Sequence, residues 1–291
     1  MSLTHHPLFE KHRPRLERAA LACRERHAWS PFPELPAKYP DAVAAQARGL
    51  AAFQSHLGST FHLPQPGIHG QIGGGPTSEV SPYTQAPLNI RYPLADVDAL
   101  FDAGEQAMTA WAAAPFQTRL GVLMEVLDVI YRDHLFEVAQ SVMHTAGQSF
   151  NMAYAGSGVN ALDRGIEALV YAWQAMQAVT PQARWERSFG PANIVLDKSY
   201  RLVPRGVAVC FTCASFPTWN AWPSMMASLA TGNAVIVKPH PATVLPMAIS
   251  VRVFRQVLAD AGFDPNLVTM ALDSVQEPMG KTLVKHPRTA I

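Results

Sequence analysis

The chain has 291 residues, 48% hydrophobic and 15% charged, enough apolar material to bury a core in one large or two ordinary domains. Lys and Arg number 23 against 22 Asp and Glu, so the net charge of +1 gives no footprint for nucleic acid or an anionic membrane. No apolar run is long enough to span a bilayer, and MSLTHHPLFEKHRPR has no apolar signal core; three cysteines without framework spacing suit a reducing cytoplasm.

Residues 1–85 form an N-terminal extension that pattern alone does not place, with candidate helices at Arg15 to Arg24 and Ala42 to His56. Leu63 to Tyr83, rich in Pro, Gly, Ser and Thr, reads as a long loop. Within it GIHGQIGGGP lacks the Gly-Lys-Ser/Thr ending of a phosphate loop and reads as flexible. His56, His62 and His69 read as surface or loop histidines, not a metal site.

Residues 86–180 are helical. Asp96 is a candidate N-cap for a helix whose inner positions are Val97, Leu100, Gly104, Ala107 and Trp111. Leu120, Leu123, Leu127 and Ile130 mark the next helix, and Gly147 closes a third. Ala161 to Met176 is a fourth, with Leu162, Ile166, Leu169 and Trp173 on one face. Asp96, Glu125 and Asp128 are expected on solvated outer faces, and Trp111, Trp173 and Trp222 in the packing.

The period then changes. Residues 181–205 read as a hairpin arm, with NIVLDKSYRLVP as two short strands around an Asp197-Lys198 turn. Residues 206–291 alternate strand (Val207 to Phe211), helix closed by Gly232, strand (Ala234 to Val237), helix (Met247 to Ala261) and strand (Leu267 to Leu272). That alternation predicts an α/β fold with a parallel, Rossmann-like sheet.

Lys238 falls just past the central strand, in VIVKPHPAT. Ligands of open parallel sheets sit outside the carboxyl ends of the strands, and a lysine stem can lie on apolar surface while its ammonium reaches that crevice. A ribose hydroxyl or a phosphate suits such a cation; a solvated strand-end lysine is the plain alternative. Thr212 to Pro217, after the preceding strand, offers backbone donors and a helix N-terminus to the same crevice.

GVAVCFTCASFPTWNAWPSMMASLATGNAVIVKPHPAT, residues 206 to 243, resembles the aldehyde dehydrogenase superfamily in Gly206-Val207, Ser215-Phe216-Pro217, Gly232-Asn233 and Lys238-Pro239, in order. AGFDPNLVTMAL is similar to the family's link to its next strand, and the arm to its oligomerisation hairpin. The long extension and the Ala-Ser-Phe-Pro variant look most like the branch from phenylacetate degradation. The resemblance implies an oxidoreductase that converts an aldehyde to an acid with NAD or NADP and forms homo-oligomers. Thr212, Cys213 and Ser215 would line the dinucleotide site, Lys238 would bind the adenosine ribose, and Ser215 stands at the oxyanion position where the family has Asn. Pro241 stands where NAD-preferring members carry Glu, and His240 adds a donor, which together lean toward NADP.

The resemblance places the nucleophilic cysteine and general-base glutamate beyond Ile291, so the chain alone is expected to be inactive, with an unpaired sheet edge near Leu267 to Leu272 or after it. Cys210 is expected inside a strand, Cys213 at the cofactor loop and Cys23 in the extension, none placed as nucleophile. A CoA-linked relative, or a non-enzymatic nucleotide-binding or oligomerisation subunit, remains open on the sequence.

Overall fold

The computed structural model describes residues 6–291. Helix α1 (Pro7–Glu25) starts on a proline suited to a first helical turn and carries Phe9, Leu16, Ala19 and Ala22 on its buried stripe. Helix α2 (Ala42–His56) follows and packs on a later helix, Leu135–Ala146. The Pro- and Gly-rich segment is not the flexible loop expected. It contains strand β1 (Ile68–Ile72), antiparallel to β2 (Tyr92–Ala95), and buried Leu63 and Glu79.

Helices α3 (Val97–Ala113), α4 (Phe116–Val129), α5 (Leu135–Ala146), α6 (Phe150–Tyr154) and α7 (Asn160–Gln177) make the middle of the chain. The Asp96 side chain accepts from Ala99 N at 2.9 Å, the N-cap expected of it. Gly147 closes α5 at φ 76°, where a side chain would be strained. Single π turns, Ile130–His134 and Ala155–Val159, join α4 to α5 and α6 to α7. Trp111 and Trp222 are fully buried.

Two acids expected on solvated faces are partly covered instead. Glu125 and Asp128 dock α1 onto α4: Lys11 Nζ lies 2.6 Å from Glu125, His12 Nε2 2.6 Å from Glu125, and Arg15 2.8 Å from Asp128. His56 is buried as well, 2.8 Å from Glu137, rather than on the surface. Helical period alone does not show which outer face a second helix covers.

The hairpin is β3 (Gln182–Phe189) against β4 (Ala192–Ser199). Its turn is Gly190-Pro191, with Gly190 at φ 58°, so the expected Asp197-Lys198 turn is corrected. Asp197 and Lys198 pair inside the ladder with Arg184 and Ala183. Every position of both strands is exposed, so no burial pattern marks their true extent.

Strands β5 (Ala208–Phe211), β6 (Val235–Lys238) and β7 (Val268–Met270) form a parallel sheet in that order. Between them run α8 (Pro217–Ala230) and α9 (Leu245–Asp260); the short α10 (Gly280–Lys285) follows β7. Met225, Met226 and Leu229 of α8 are fully buried, side chains whose burial contributes about 1.5–3 kcal/mol each. On the far side of β5, Thr289 bridges Val207, Ala290 N donates to Val207 O and Val209 N to Ile291 O, each at 3.0 Å. The edge at β7 is not left unpaired, contrary to expectation. The Gln65 side chain accepts from Met270 N at 2.9 Å and donates to Met270 O at 2.8 Å, and Arg255 donates to Val268 O at 2.8 Å.

Candidate functional site

Parallel pairing brings the carboxyl ends of β5, β6 and β7 together at Phe211, Lys238 and Met270. The chain goes from β5 to β6 on one side, and residues 289–291 return on the other, so the order reverses beside β5. Crevices at such reversals are where open α/β sheets hold ligands.

The loop from Thr212 to Phe216 leaves β5 for α8. Thr212 N donates to Lys238 O at 3.1 Å, which ties this loop to the end of β6. Cys213 Sγ accepts from Phe216 N at 3.4 Å and Ser215 Oγ at 3.6 Å; Cys213 O accepts from Thr243 Oγ1 at 3.5 Å. Ser215 is exposed, and its carbonyl accepts from Gln148 Nε2 at 2.5 Å. Gln148 is held in turn by Ser157 Oγ, 3.0 Å from Oε1. Helix α8 opens on Pro217 with no side-chain cap, so its first-turn dipole is left for an anion.

Lys238 is the last residue of β6, not the residue past it, and its side chain is only 7% exposed. Its Nζ lies 2.5 Å from Asp273 Oδ1, on a side chain 4% exposed. The contact lacks hydrogen-bond direction: the ammonium donates to Pro239 O at 2.8 Å, while Oδ1 is left without a hydrogen-bond partner. Asp273 Oδ2 accepts from Met279 N at 2.9 Å.

The structure therefore brings Thr212, Cys213, Ser215 and Lys238 to one crevice. His240 lies two residues past β6, exposed, and its Nδ1 accepts from Ala242 N at 3.1 Å, so one ring nitrogen serves its own turn. Asn233, beside the Gly-Asn turn, is structural, because its Oδ1 accepts from Arg205 N at 2.8 Å and Gly206 N at 3.1 Å and fixes the entry to β5. Sequence reasoning missed Asp273 and Gln148. An acid three residues past the third strand was a usable signal for Asp273; nothing local marked Gln148.

Two buried polar atoms at this crevice, Thr212 Oγ1 and Asp273 Oδ1, have no hydrogen-bond partner. Both atoms are under cover, so the surface left for the phosphates of a dinucleotide is the uncapped helix N-terminus with the exposed loop at Ser215 before it. Cys210 is inside β5, and burial pushes its thiol up to about 11, out of reach of a reactive thiolate. Elsewhere His12, Glu125 and Asp128 cluster within 4.8 Å, but Lys11 and Arg15 already neutralise those carboxylates. Cavities of about 450 Å³ between α1 and α7 and 410 Å³ between α2 and α5 do not touch Lys238.

The sequence model of the aldehyde dehydrogenase family matches residues 77–291. An NAD-dependent aldehyde dehydrogenase from Burkholderia multivorans, of solved structure, superposes with a TM-score of 0.92 at 43% identity, over 98% of this chain and 50% of that one. Aldehyde dehydrogenase LUC3 of a Fusarium species is 27% identical over 232 residues, 76% of this chain and 44% of that protein. Vanillin dehydrogenase of Corynebacterium glutamicum is 24% identical over 222 residues, 73% of this chain and 42% of that protein. The chain thus spans less than half the length of these two curated relatives.

Proposed function

Because the chain belongs to the aldehyde dehydrogenase family, we propose that its crevice at Lys238 holds an NAD(P) dinucleotide for oxidation of an aldehyde to an acid. The observation that carries this reading is the meeting of Lys238, Thr212 and the uncapped start of α8 at the carboxyl ends of three parallel strands. The NAD-dependent Burkholderia relative, alike over nearly the whole chain, supports it.

In this reading Lys238 holds the adenosine ribose, and Thr212, Cys213 and Ser215 line the dinucleotide. In the same reading Ser215, whose side chain is exposed, would serve as the donor to a developing oxyanion. When bound, the dinucleotide supplies the hydride acceptor. The chain's own contribution is to bind and orient it: Gln148 and Thr243 hold the loop carrying Ser215, and Thr212 N fixes that loop to β6.

None of Cys23, Cys210 and Cys213 is placed as the nucleophile, so residues 1–291 alone bind dinucleotide without oxidising aldehyde. The hairpin, with Trp185, Phe189, Ile194 and Leu196 exposed, is the arm through which copies associate. The aldehyde belongs to aromatic catabolism of the phenylacetate kind; the long N-terminal extension and the Ala-Ser-Phe-Pro loop support that, as does the name of the vanillin relative. A cytoplasmic setting follows from the cysteine pattern. Among the described residues no helix is long and apolar enough to cross a membrane.

The test is a fluorescence titration of the 291-residue chain with NADH and NADPH, followed by an assay for aldehyde-dependent NAD(P)H formation. Saturable binding without turnover is expected. Absence of binding to either dinucleotide would defeat the cofactor reading, and turnover would defeat the expected inactivity.

A further inference from the structure

We infer that the cavity between α1 and α7 is a second small-molecule site, which takes an α-amino acid with an apolar side chain, its ammonium on Asp163 and its carboxylate on Arg26. The inference is independent of the dinucleotide reading, because this cavity of about 450 Å³ does not touch Lys238. Cavities of that size hold small molecules when an apolar lining carries a few convergent polar groups. Helix α1 leaves the room: Ala19, Ala22 and Cys23 recur at helical spacing on its cavity face, opposite Ile166 of α7. Half-buried Trp29 and exposed Tyr171 add two aromatic rings to the lining.

Asp163 is the inner acid of this lining. Its Oδ1 lies 2.9 Å from Ser30 Oγ, in the segment that returns over α7 after α1 and sets Phe32 into the core. Among the described residues no Lys, Arg or His pairs with it: Arg164, the next residue, is spent on Glu167 at 2.7 Å, and His27 faces Glu25 at 3.3 Å. Burial pushes the Asp163 carboxyl up to about 7, against the pull of the Ser30 hydrogen bond and the Arg164 charge. An unpaired acid kept at that cost in a cavity wall is the arrangement that marks a ligand site, and an ammonium supplies the missing charge. Arg26 brings the opposite sign. It caps α1 at φ 55°, in the left-handed region where glycine is the usual residue. Its exposed side chain lines the same cavity and pairs with no acid among the described residues. A charged residue held in that conformation beside a cavity fits a ligand contact. A bare amine would leave Arg26 unanswered and a bare acid would face Asp163, whereas a zwitterion meets both.

The experiment titrates L-phenylalanine, 2-phenylethylamine and 3-phenylpropanoate into the full 291-residue chain by calorimetry, with thermal melting of each variant alongside. L-Phenylalanine is expected to bind at one site with Kd below about 1 mM, and each one-charge probe at least about tenfold more weakly. Asp163→Asn removes the charge and keeps a partner for Ser30. It should melt at or above wild type, because a buried amide costs less than a buried carboxylate, yet weaken L-phenylalanine at least about tenfold. Arg26→Gly suits the left-handed cap and should also melt at or above wild type. It should weaken L-phenylalanine at least about fivefold and leave 2-phenylethylamine unweakened, since that probe has no carboxylate for Arg26 to hold. Absence of saturable L-phenylalanine binding overturns the inference. Binding that either variant leaves unchanged overturns it too, by placing the amino acid elsewhere. So does 2-phenylethylamine binding as tightly as L-phenylalanine, which would leave Arg26 no part. None of these outcomes touches the dinucleotide reading.

Discussion

Glu79 caps Val244 across 165 residues of chain: its Oε1 accepts from Val244 N at 2.6 Å and from Leu245 N at 3.0 Å. Its Oε2 accepts from the Tyr92 hydroxyl at 2.5 Å. The start of α9, which follows Lys238 and His240, is thus fixed by a residue from the Pro- and Gly-rich segment. Glu79→Ala would orphan two backbone donors and a buried hydroxyl, an expected loss of about 2–4 kcal/mol. Glu79→Gln keeps an acceptor and should lose less.

The same residue gives a pH signature. Burial pushes the Glu79 carboxyl up to about 7, against the pull of its three hydrogen bonds. A raised acid binds more protons folded than unfolded, so its contribution is greatest below its unfolded value and declines as pH rises to about 7. Chemical denaturation from pH 4.5 to 7 should show a decline of up to about 3 kcal/mol in wild type that Glu79→Gln lacks. Parallel curves for the two proteins would show that Glu79 does not hold its proton in the folded chain.

Such a contact explains where the sequence was legible and where it was not. The Asp96 cap, the Gly147 stop and the parallel strand–helix alternation are local signals, and each has its counterpart in the structure. The burial of Glu79, the pairing of His56 with Glu137 and the meeting of Lys238 with Asp273 join residues far apart in sequence, and no window contains both partners. The hairpin turn was misplaced for a different reason: both strands are exposed, so no burial pattern set their extent, and the strands were read only from Asn193 onward, past the true turn at Gly190-Pro191.

Glu137 is a second buried acid with the opposite sign. Burial raises its carboxyl, but hydrogen bonds from His134 and His56 and the charge of Arg252 outweigh that and hold it well below the usual range. The stability it contributes is present above its unfolded value near 4.5 and is lost as pH falls below that. Glu137→Gln is expected to cost about 3 kcal/mol at pH 7 and to flatten the loss below pH 4.5. Equal acid sensitivity in the variant would mean that other carboxylates set the acid limb.

Helix α1 sits on α4 through Gly121. A Cβ added there would meet Phe9 N at 2.4 Å and Phe9 Cα at 2.7 Å, backbone atoms that cannot turn away. Alanine normally gains about 1 kcal/mol over glycine inside a helix. Gly121→Ala should instead lose about 1–3 kcal/mol by forcing α1 off its seat. Gly70→Ala, where a Cβ meets nothing within 4 Å, is the control expected to change little. A melting temperature for Gly121→Ala at or above wild type would show that α1 docks more loosely than this packing implies.

Gln148 links the helical middle to the Ser215 loop, donating to Ser215 O at 2.5 Å while Ser157 holds its other amide atom at 3.0 Å. Gly156, in the adjoining π turn, leaves room for Phe216, whose Cε1 would lie 3.1 Å from an added Cβ. The loop's shape is therefore set from outside the sheet. Because Gln148 and Ser215 are near the surface, Gln148→Ala should change stability by under about 1 kcal/mol. Its effect belongs in binding: NADH affinity should fall several-fold, the size of one hydrogen bond, as the loop loses its preferred shape. Gln148→Glu sets a carboxylate against the Ser215 carbonyl and should cost more than alanine. If both variants bind NADH as wild type does, the contacts of Thr212, Cys213 and Thr243 suffice to hold the loop, and Gln148 takes no part in positioning Ser215.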